Sequence, residues 1–450
     1  MLVPPALQFG LPQLHVPLLK WWLPVALVPL VLAGYEARHS LSAKLRAAYV
    51  ALLLAVVGGF GALDAVRAWR NVVDPPEYDI QAFWVAMRVG AVGGNFYDPR
   101  VVHRIAEPLF HAATPISARP QFVREVLDAG YVYPPPTMLW MAPFGRLDLV
   151  PAAFAWYAML GAALVACIVL LRRVFFPEGG WLELGVVASL VLLLRATYTT
   201  FAFGQTSVLV ALALVLCWRD RDRPLAGLWV ALGILVKPIF VFFLGVLVLR
   251  RNWRAVGVCA AALAASALLS IGVFGPEVFA AFFARPMQRI PPWLYVGSEN
   301  QSLLATLLRV AAYDPARGAP LTYPPFVVLA TVIFGVACWT MWRLERRWGA
   351  LALATAVPTA LLLYPQTLEH YAMLNLVPLL YLWRQREELR LSTAFVVAFL
   401  AVFYALTRYD RGSITVAAHL LEYLLFVALG ARVLQAHAAE AGVRPALVGA

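Results

Sequence analysis

The chain has 450 residues, 62% of them hydrophobic and only 13% charged, with a formal net charge of +12. An ordinary globular domain is about half apolar and about a quarter charged, so this composition excludes a water-soluble fold and makes lipid part of the solvent. The positive charge is scattered in small groups between apolar blocks; a nucleic-acid binder would gather it on one face or tail, and that class is excluded too.

The basic groups are Arg38, Lys44 and Arg46; Arg172 and Arg173; Arg219, Arg221 and Arg223; Arg250, Arg251 and Arg254; Arg343, Arg346 and Arg347; and Arg384, Arg386 and Arg390. Their alternation with apolar blocks is the positive-inside pattern, so each is read as a cytoplasmic turn. On that reading the chain is an all-α polytopic membrane protein. The apolar run Trp21–Leu32 has no small-residue cleavage site after it and is taken as a retained helix. Spans are predicted over residues 15–34 and 45–66, followed by an external loop over 70–136. Three more, over 150–171, 181–199 and 205–218, lead to the Arg219–Arg223 turn.

The next stretch breaks the rhythm. Arg223 and Arg250 are both basic turn residues, yet 26 residues lie between them, and two full crossings need about 20 residues each. Lys237-Pro238 stands at the midpoint, where proline breaks a helix and lysine is costly in lipid. We therefore expect two half-helices that dip in and return, with Lys237 at the tip. A span over 255–275 and a second external loop over 276–325 follow. Spans over 326–342, 349–363, 371–383, 391–407 and 414–431 complete eleven full crossings in one transmembrane domain, 1–450, with the C-terminus cytoplasmic. In the first loop, residues 80–92 and 120–129 have helical spacing. No internal repeat of the kind common in transporters is visible.

The polar candidates gather on the external side. Asp79 precedes a helical stretch and reads equally as an N-cap or as a general base. Lys237 has no obvious snorkelling route; an intramembrane cation is a functional residue by default, with a structural ion pair as the other reading. Arg195 lies one turn inside the external boundary, suited to phosphate binding or to snorkelling. Gln205 and the Glu369-His370 pair lie in short external turns, where a helix-starting or structural role is equally ordinary. Tyr133-Pro134-Pro135-Pro136 reads as a rigid extended link. The cysteines Cys167, Cys217, Cys259 and Cys338 all lie inside apolar blocks and read as small hydrophobes. There is no phosphate-binding glycine loop, zinc-ligand cluster or serine elbow, so neither a metal nor a cofactor is expected.

These motifs, in order, resemble those of glycosyltransferase family 87, of the GT-C superfamily of membrane enzymes that use polyprenyl-phosphate sugars. Tyr78-Asp79-Ile80, Gly94-Asn95-Phe96-Tyr97-Asp98-Pro99 and Tyr133-Pro134-Pro135 resemble its first external loop. Gly204-Gln205 and Lys237-Pro238 resemble its middle, and Asn300-Gln301-Ser302 and Pro365-Gln366-Thr367-Leu368-Glu369-His370 its later external motifs. The resemblance implies a GT-C-type fold in the plasma membrane and inverting transfer of a sugar, mannose by the family's commonest association. The donor would be a polyprenyl-phosphate sugar and the acceptor a glycolipid or glycan on the external face. Asp79 matches the family's catalytic aspartate. Lys237, Arg195 and His370 would hold the donor phosphate, and Tyr97, Asp98, Tyr133, Gln205, Asn300, Gln301 and Glu369 would contact substrate. A transporter or flippase, and a polymerase or ligase of lipid-linked glycans, are the alternative readings.

Overall fold

The computed structural model describes residues 17–74, 80–109, 131–284, 292–314, 320–344, 348–408 and 412–440. Asp79 and the predicted helix over 120–129 lie outside the described residues. Among the described residues every regular element is helical, apart from one antiparallel bridge between Asn300 and Leu368.

In chain order the principal helices are α1 (Pro17–Ala37), α2 (Ala43–Val73), α3 (Ala82–Ala91), α4 (Pro99–Leu109), α5 (Leu149–Phe175), α6 (Trp181–Leu193) and α7 (Arg195–Phe203). They continue with α8 (Ser207–Arg219), α9 (Leu225–Val236), α10 (Val241–Leu249), α11 (Trp253–Phe274), α12 (Pro276–Ala284) and α13 (Leu303–Val310). The last are α14 (Pro324–Arg343), α15 (Gly349–Leu363), α16 (Leu376–Arg384), α17 (Thr393–Thr407) and α18 (Gly412–Glu440).

The chain is a polytopic membrane protein. Among the described residues five helices, α2, α5, α11, α14 and α18, are long and apolar enough to cross a bilayer, and α6 with α7 makes a sixth if the pair, bent by 64°, is one span. The sequence predicts eleven full spans; among the described residues the remaining apolar helices, α1 apart, are shorter. The 13-residue α8 and 12-residue α9 extend only about 20 Å, against about 30 Å of hydrocarbon. They stop short because polar turns interrupt them, at Gly204–Ser207 and at Lys237-Pro238.

Long and short helices divide the labour of burial. α2, α11 and α14 present bare apolar side chains outward, among them Leu54, Leu268 and Val328, which is what a lipid-facing surface requires. By contrast α15 is buried along its whole length, as a helix apolar on every side should be.

At one end of the bundle, contacts knit the arginine-bearing turns together. Arg386 pairs with Glu36 at 2.8 Å, and the Tyr35 hydroxyl donates to Glu183 at 3.2 Å. Trp218 packs its ring against Phe175 and Tyr381. The Asn252 amide donates to the Arg221 carbonyl at 3.2 Å. That last bond joins the two ends of the α9–α10 segment, so the chain returns to the end it left. Lys237, in extended backbone (φ −146°, ψ 123°), caps α9 at the far tip of this re-entrant hairpin.

Candidate active site

The hairpin tip meets the start of α8 and the 3-10 helix Glu369–Asn375. Lys237 is 2% exposed. Its ammonium donates to Ser207 Oγ at 3.1 Å and Gln205 Oε1 at 3.4 Å, and lies 4.0 Å from the centroid of the Tyr371 ring. The Tyr133 hydroxyl reaches the same amide, donating to Gln205 Oε1 at 3.5 Å, with Thr206 Oγ1 at 3.4 Å. The Tyr97 hydroxyl donates to the Tyr133 carbonyl, and Thr137 donates to the Leu235 carbonyl, in the last turn before Lys237. Lysine, glutamine, serine and two tyrosines therefore converge in one buried polar cluster. A buried cation held by side-chain oxygens and a ring face can change partners when an anion arrives.

Backbone geometry explains how Gln205 comes to face the cluster. Gly204 ends α7 in the left-handed region, φ +65°, which lets the chain turn sharply into α8. Its carbonyl accepts from Trp156 Nε1 at 2.8 Å. Any Cβ there would lie 2.3 Å from Ile80 Cδ1. Ile80, one residue past Asp79, is thus packed against Gly204, beside Gln205.

His370 is buried and stacks on Tyr371, ring centroids 5.0 Å apart. Its Nε2 has no hydrogen-bond partner. Burial, and then the positive charge of Lys237, hold its imidazole well below the usual histidine range. It is a neutral ring beside a cation.

The other predicted residues are placed differently. Arg195 sits at the 64° bend between α6 and α7 and forms a two-pronged ion pair with Glu369, at 3.0 and 3.2 Å. Its third contact is to the Arg408 carbonyl at 3.1 Å. Asp98 starts α4, accepting from the Arg100 backbone N–H at 2.9 Å. The Asn300 amide donates to the Leu294 and Pro365 carbonyls at 2.9 and 2.8 Å, and its oxygen accepts from Ser302 N–H. Gln301 N–H donates to the Thr367 carbonyl at 2.6 Å, and Gln301 Oε1 lies 3.4 Å from His419 Nε2. These bonds clamp the second external-loop motif to the turn that carries Glu369 and His370.

Two parts of the cluster were not singled out from sequence. Tyr371 and Ser207 adjoin residues that were, and polar side chains in the turns flanking Gln205 and His370 are the signal that could have found them. His419, wholly buried in α18 and bridging Gln301 and Asn375, is a polar residue inside an apolar span, and such residues merit inspection by default.

Comparison with known proteins establishes that this all-helical membrane protein is a membrane glycosyltransferase. The chain belongs to glycosyltransferase family 87, whose sequence pattern matches residues 131–365, more than half of the chain. That range includes Tyr133, Arg195, Gln205, Lys237, Asn300 and Gln301. The chain is similar to the polyprenol-phosphate-mannose-dependent alpha-(1-2)-phosphatidylinositol mannoside mannosyltransferase of Mycobacterium tuberculosis, 26% identical over 340 residues, 71% of this chain and 74% of that protein. It is also similar to an alpha-(1->3)-arabinofuranosyltransferase of Mycobacterium tuberculosis, 31% identical over 140 residues, covering 29% of this chain and 32% of that protein. No solved structure matches.

Proposed function

We propose that this chain transfers a sugar, mannose, from a polyprenyl-phosphate donor to a glycolipid or glycan acceptor at the external face of the plasma membrane, inverting the anomeric carbon. The observation that carries this reading is the buried Lys237 ammonium at the hairpin tip, ringed by Tyr133, Gln205, Ser207 and Tyr371. A membrane enzyme whose donor is a lipid phosphate needs a cation recessed below the bilayer surface, and α9 is short enough to leave one there. The name of the mannosyltransferase relative supports the donor class.

In this mechanism Asp79 takes the proton of an acceptor hydroxyl as that oxygen attacks the anomeric carbon. The bond from that carbon to the lipid phosphate breaks, and charge grows on the departing phosphate. Lys237 stabilises that charge, with the neutral His370 ring as a second hydrogen-bonding group. Tyr133 and Gln205 orient the sugar. Arg195, already engaged with Glu369, acts by fixing the turn that carries His370, and only a rearranged pair would touch phosphate directly. The first and second loops, 70–136 and 276–325, supply the acceptor side.

The test is transfer by purified protein in nanodiscs, supplied in turn with labelled polyprenyl-phosphate mannose and polyprenyl-phosphate arabinofuranose and a mixed glycolipid pool. Label entering a glycolipid from the mannose donor is the expected result. Label only from the arabinose donor would change the sugar and keep the chemistry. No transfer from either by folded protein would favour the transporter reading.

A further inference from the structure

Asn375 stands at the start of α16, where an asparagine ordinarily turns back to cap its own helix. Its side chain makes no such cap. The amide nitrogen instead lies 3.4 Å from Nδ1 of His419 in α18, and the amide oxygen is buried without a hydrogen-bond partner. On the other side of the imidazole, Nε2 lies 3.4 Å from Oε1 of Gln301. All three side chains are buried, Asn375 and His419 completely. An amide nitrogen only donates and an amide oxygen only accepts, so both directions are fixed: Asn375 donates to Nδ1, and Nε2 donates to Gln301. The orphaned Asn375 oxygen follows, because turning the amide over would set an acceptor against the acceptor Nδ1. A helix cap and a buried acceptor are thus given up for one contact with α18, a cost that a histidine filling space would not impose.

The contact joins two parts of the chain beside Lys237. Gln301 N–H donates to the Thr367 carbonyl, and Asn375 ends the 3-10 helix Glu369–Asn375. One imidazole therefore ties down both ends of the segment 367–375, whose middle carries Tyr371, the ring 4.0 Å from the Lys237 ammonium. The two ends are not held equally. Just before the start, the Pro365 carbonyl accepts from both Asn300 Nδ2 and Ser302 Oγ, at 2.8 and 3.2 Å, so losing one tie leaves another. At the end, the His419 contact is the one hydrogen bond of the Asn375 side chain among the described residues. We propose that His419 is a positioning residue of the transfer site: by joining Gln301 to Asn375 it fixes the Glu369–Asn375 helix with Tyr371 against Lys237. It acts through that helix and not on the substrate. Its consequence for donor binding rests on Lys237 being the phosphate-binding cation; the clamp itself does not.

The experiment uses the full-length protein in nanodiscs and reads two quantities: backbone hydrogen–deuterium exchange over 367–375, and binding of labelled polyprenyl-phosphate mannose. His419→Phe keeps a ring and removes both nitrogens. Asn375→Leu removes the other end of the same contact and carries the comparison if the first variant does not fold. Each should speed exchange over 367–375 about 10-fold and weaken donor binding by a similar factor, the scale of one or two buried hydrogen bonds. The double variant should be no worse than either single one, since both break one link. His419→Gln, whose amide can again accept from Asn375 and donate to Gln301, should bring both readouts back to within about threefold of the wild type. Unchanged exchange in both single variants, additive losses in the double variant, or a His419→Gln as impaired as His419→Phe overturns the proposal. So does faster exchange with donor bound as tightly as by the wild type. A wild type that binds no donor refutes the donor assignment alone, and exchange in the four variants then decides the proposal.

Discussion

Two polar regions lie at the same end of this molecule, and they use similar residues for opposite purposes. Around Asn300, the side chain spends its donors and acceptor on backbone groups: the Leu294 and Pro365 carbonyls and the Ser302 N–H, all within 3.0 Å. Around Lys237, side chain meets side chain at 3.1 to 3.5 Å. The first arrangement satisfies the backbone of two loops and uses both donors of the Asn300 amide. In the second, the bonds from Lys237 to Ser207 and Gln205 and from Tyr133 to Gln205 join side chains and can be exchanged for bonds to a ligand without orphaning a peptide group. Bond partners, backbone in one region and side chain in the other, thus separate polar residues of a family motif where residue type does not, and we read the second kind as the one that faces the reaction.

That contrast can be broken most forcefully at the hairpin tip. Lys237→Met keeps the length and apolar stem of the side chain while removing the charge. Donor affinity and turnover together should fall about 100-fold or more, the scale of removing one charged transition-state partner. A variant that binds donor as tightly as wild type would return Lys237 to a scaffold role.

Asn300→Ala should show the reverse profile. It takes the side-chain partner from the Leu294 carbonyl and the Ser302 N–H and leaves the Pro365 carbonyl with Ser302 Oγ at 3.2 Å alone, a loss of about 2 kcal/mol for buried groups. The unfolding temperature should drop clearly, while the donor KM at low temperature stays within a factor of two or three, as expected of a residue that makes only uniform structural contacts. A raised KM with unchanged stability would place Asn300 on the substrate after all.

The smallest effect sharpens the same boundary. His370 is held below its ordinary value by burial and by Lys237, so the folded protein resists protonating it while the unfolded chain does not. Its contribution to stability is complete above pH about 6.5 and fades as the pH falls below that. The unfolding temperature of the wild type should therefore fall more between pH 7 and pH 5 than that of His370→Gln. Parallel curves would mean that His370 protonates freely in the folded state.

Much of this was legible in the sequence, and the reason is charge. Basic turns at both ends of a segment too short for two crossings, with Lys237-Pro238 in the middle, specify a hairpin, and the Asn252–Arg221 bond closes it. Span length was less legible, because apolar composition does not reveal where a helix stops inside the bundle; α8 and α9 end at polar turns. The partners of Asn300 and Arg195 were hidden for another reason. Pro365 and Glu369 lie 65 and 174 residues away, and no local pattern announces such a pairing. Glu422 escaped notice altogether, although it lies fully buried in α18 with both carboxylate oxygens lacking a hydrogen-bond partner.

The account rests on a division between chemistry at Asp79 and phosphate binding at Lys237. The direct test measures donor binding and transfer separately, with labelled polyprenyl-phosphate mannose, in wild type, Asp79→Asn and Lys237→Met in nanodiscs. Asp79→Asn should bind donor as wild type does and lose about 1000-fold in transfer, the scale of a missing general base, whereas Lys237→Met should lose donor binding itself. Retained turnover in Asp79→Asn, or full donor binding in Lys237→Met, would contradict it.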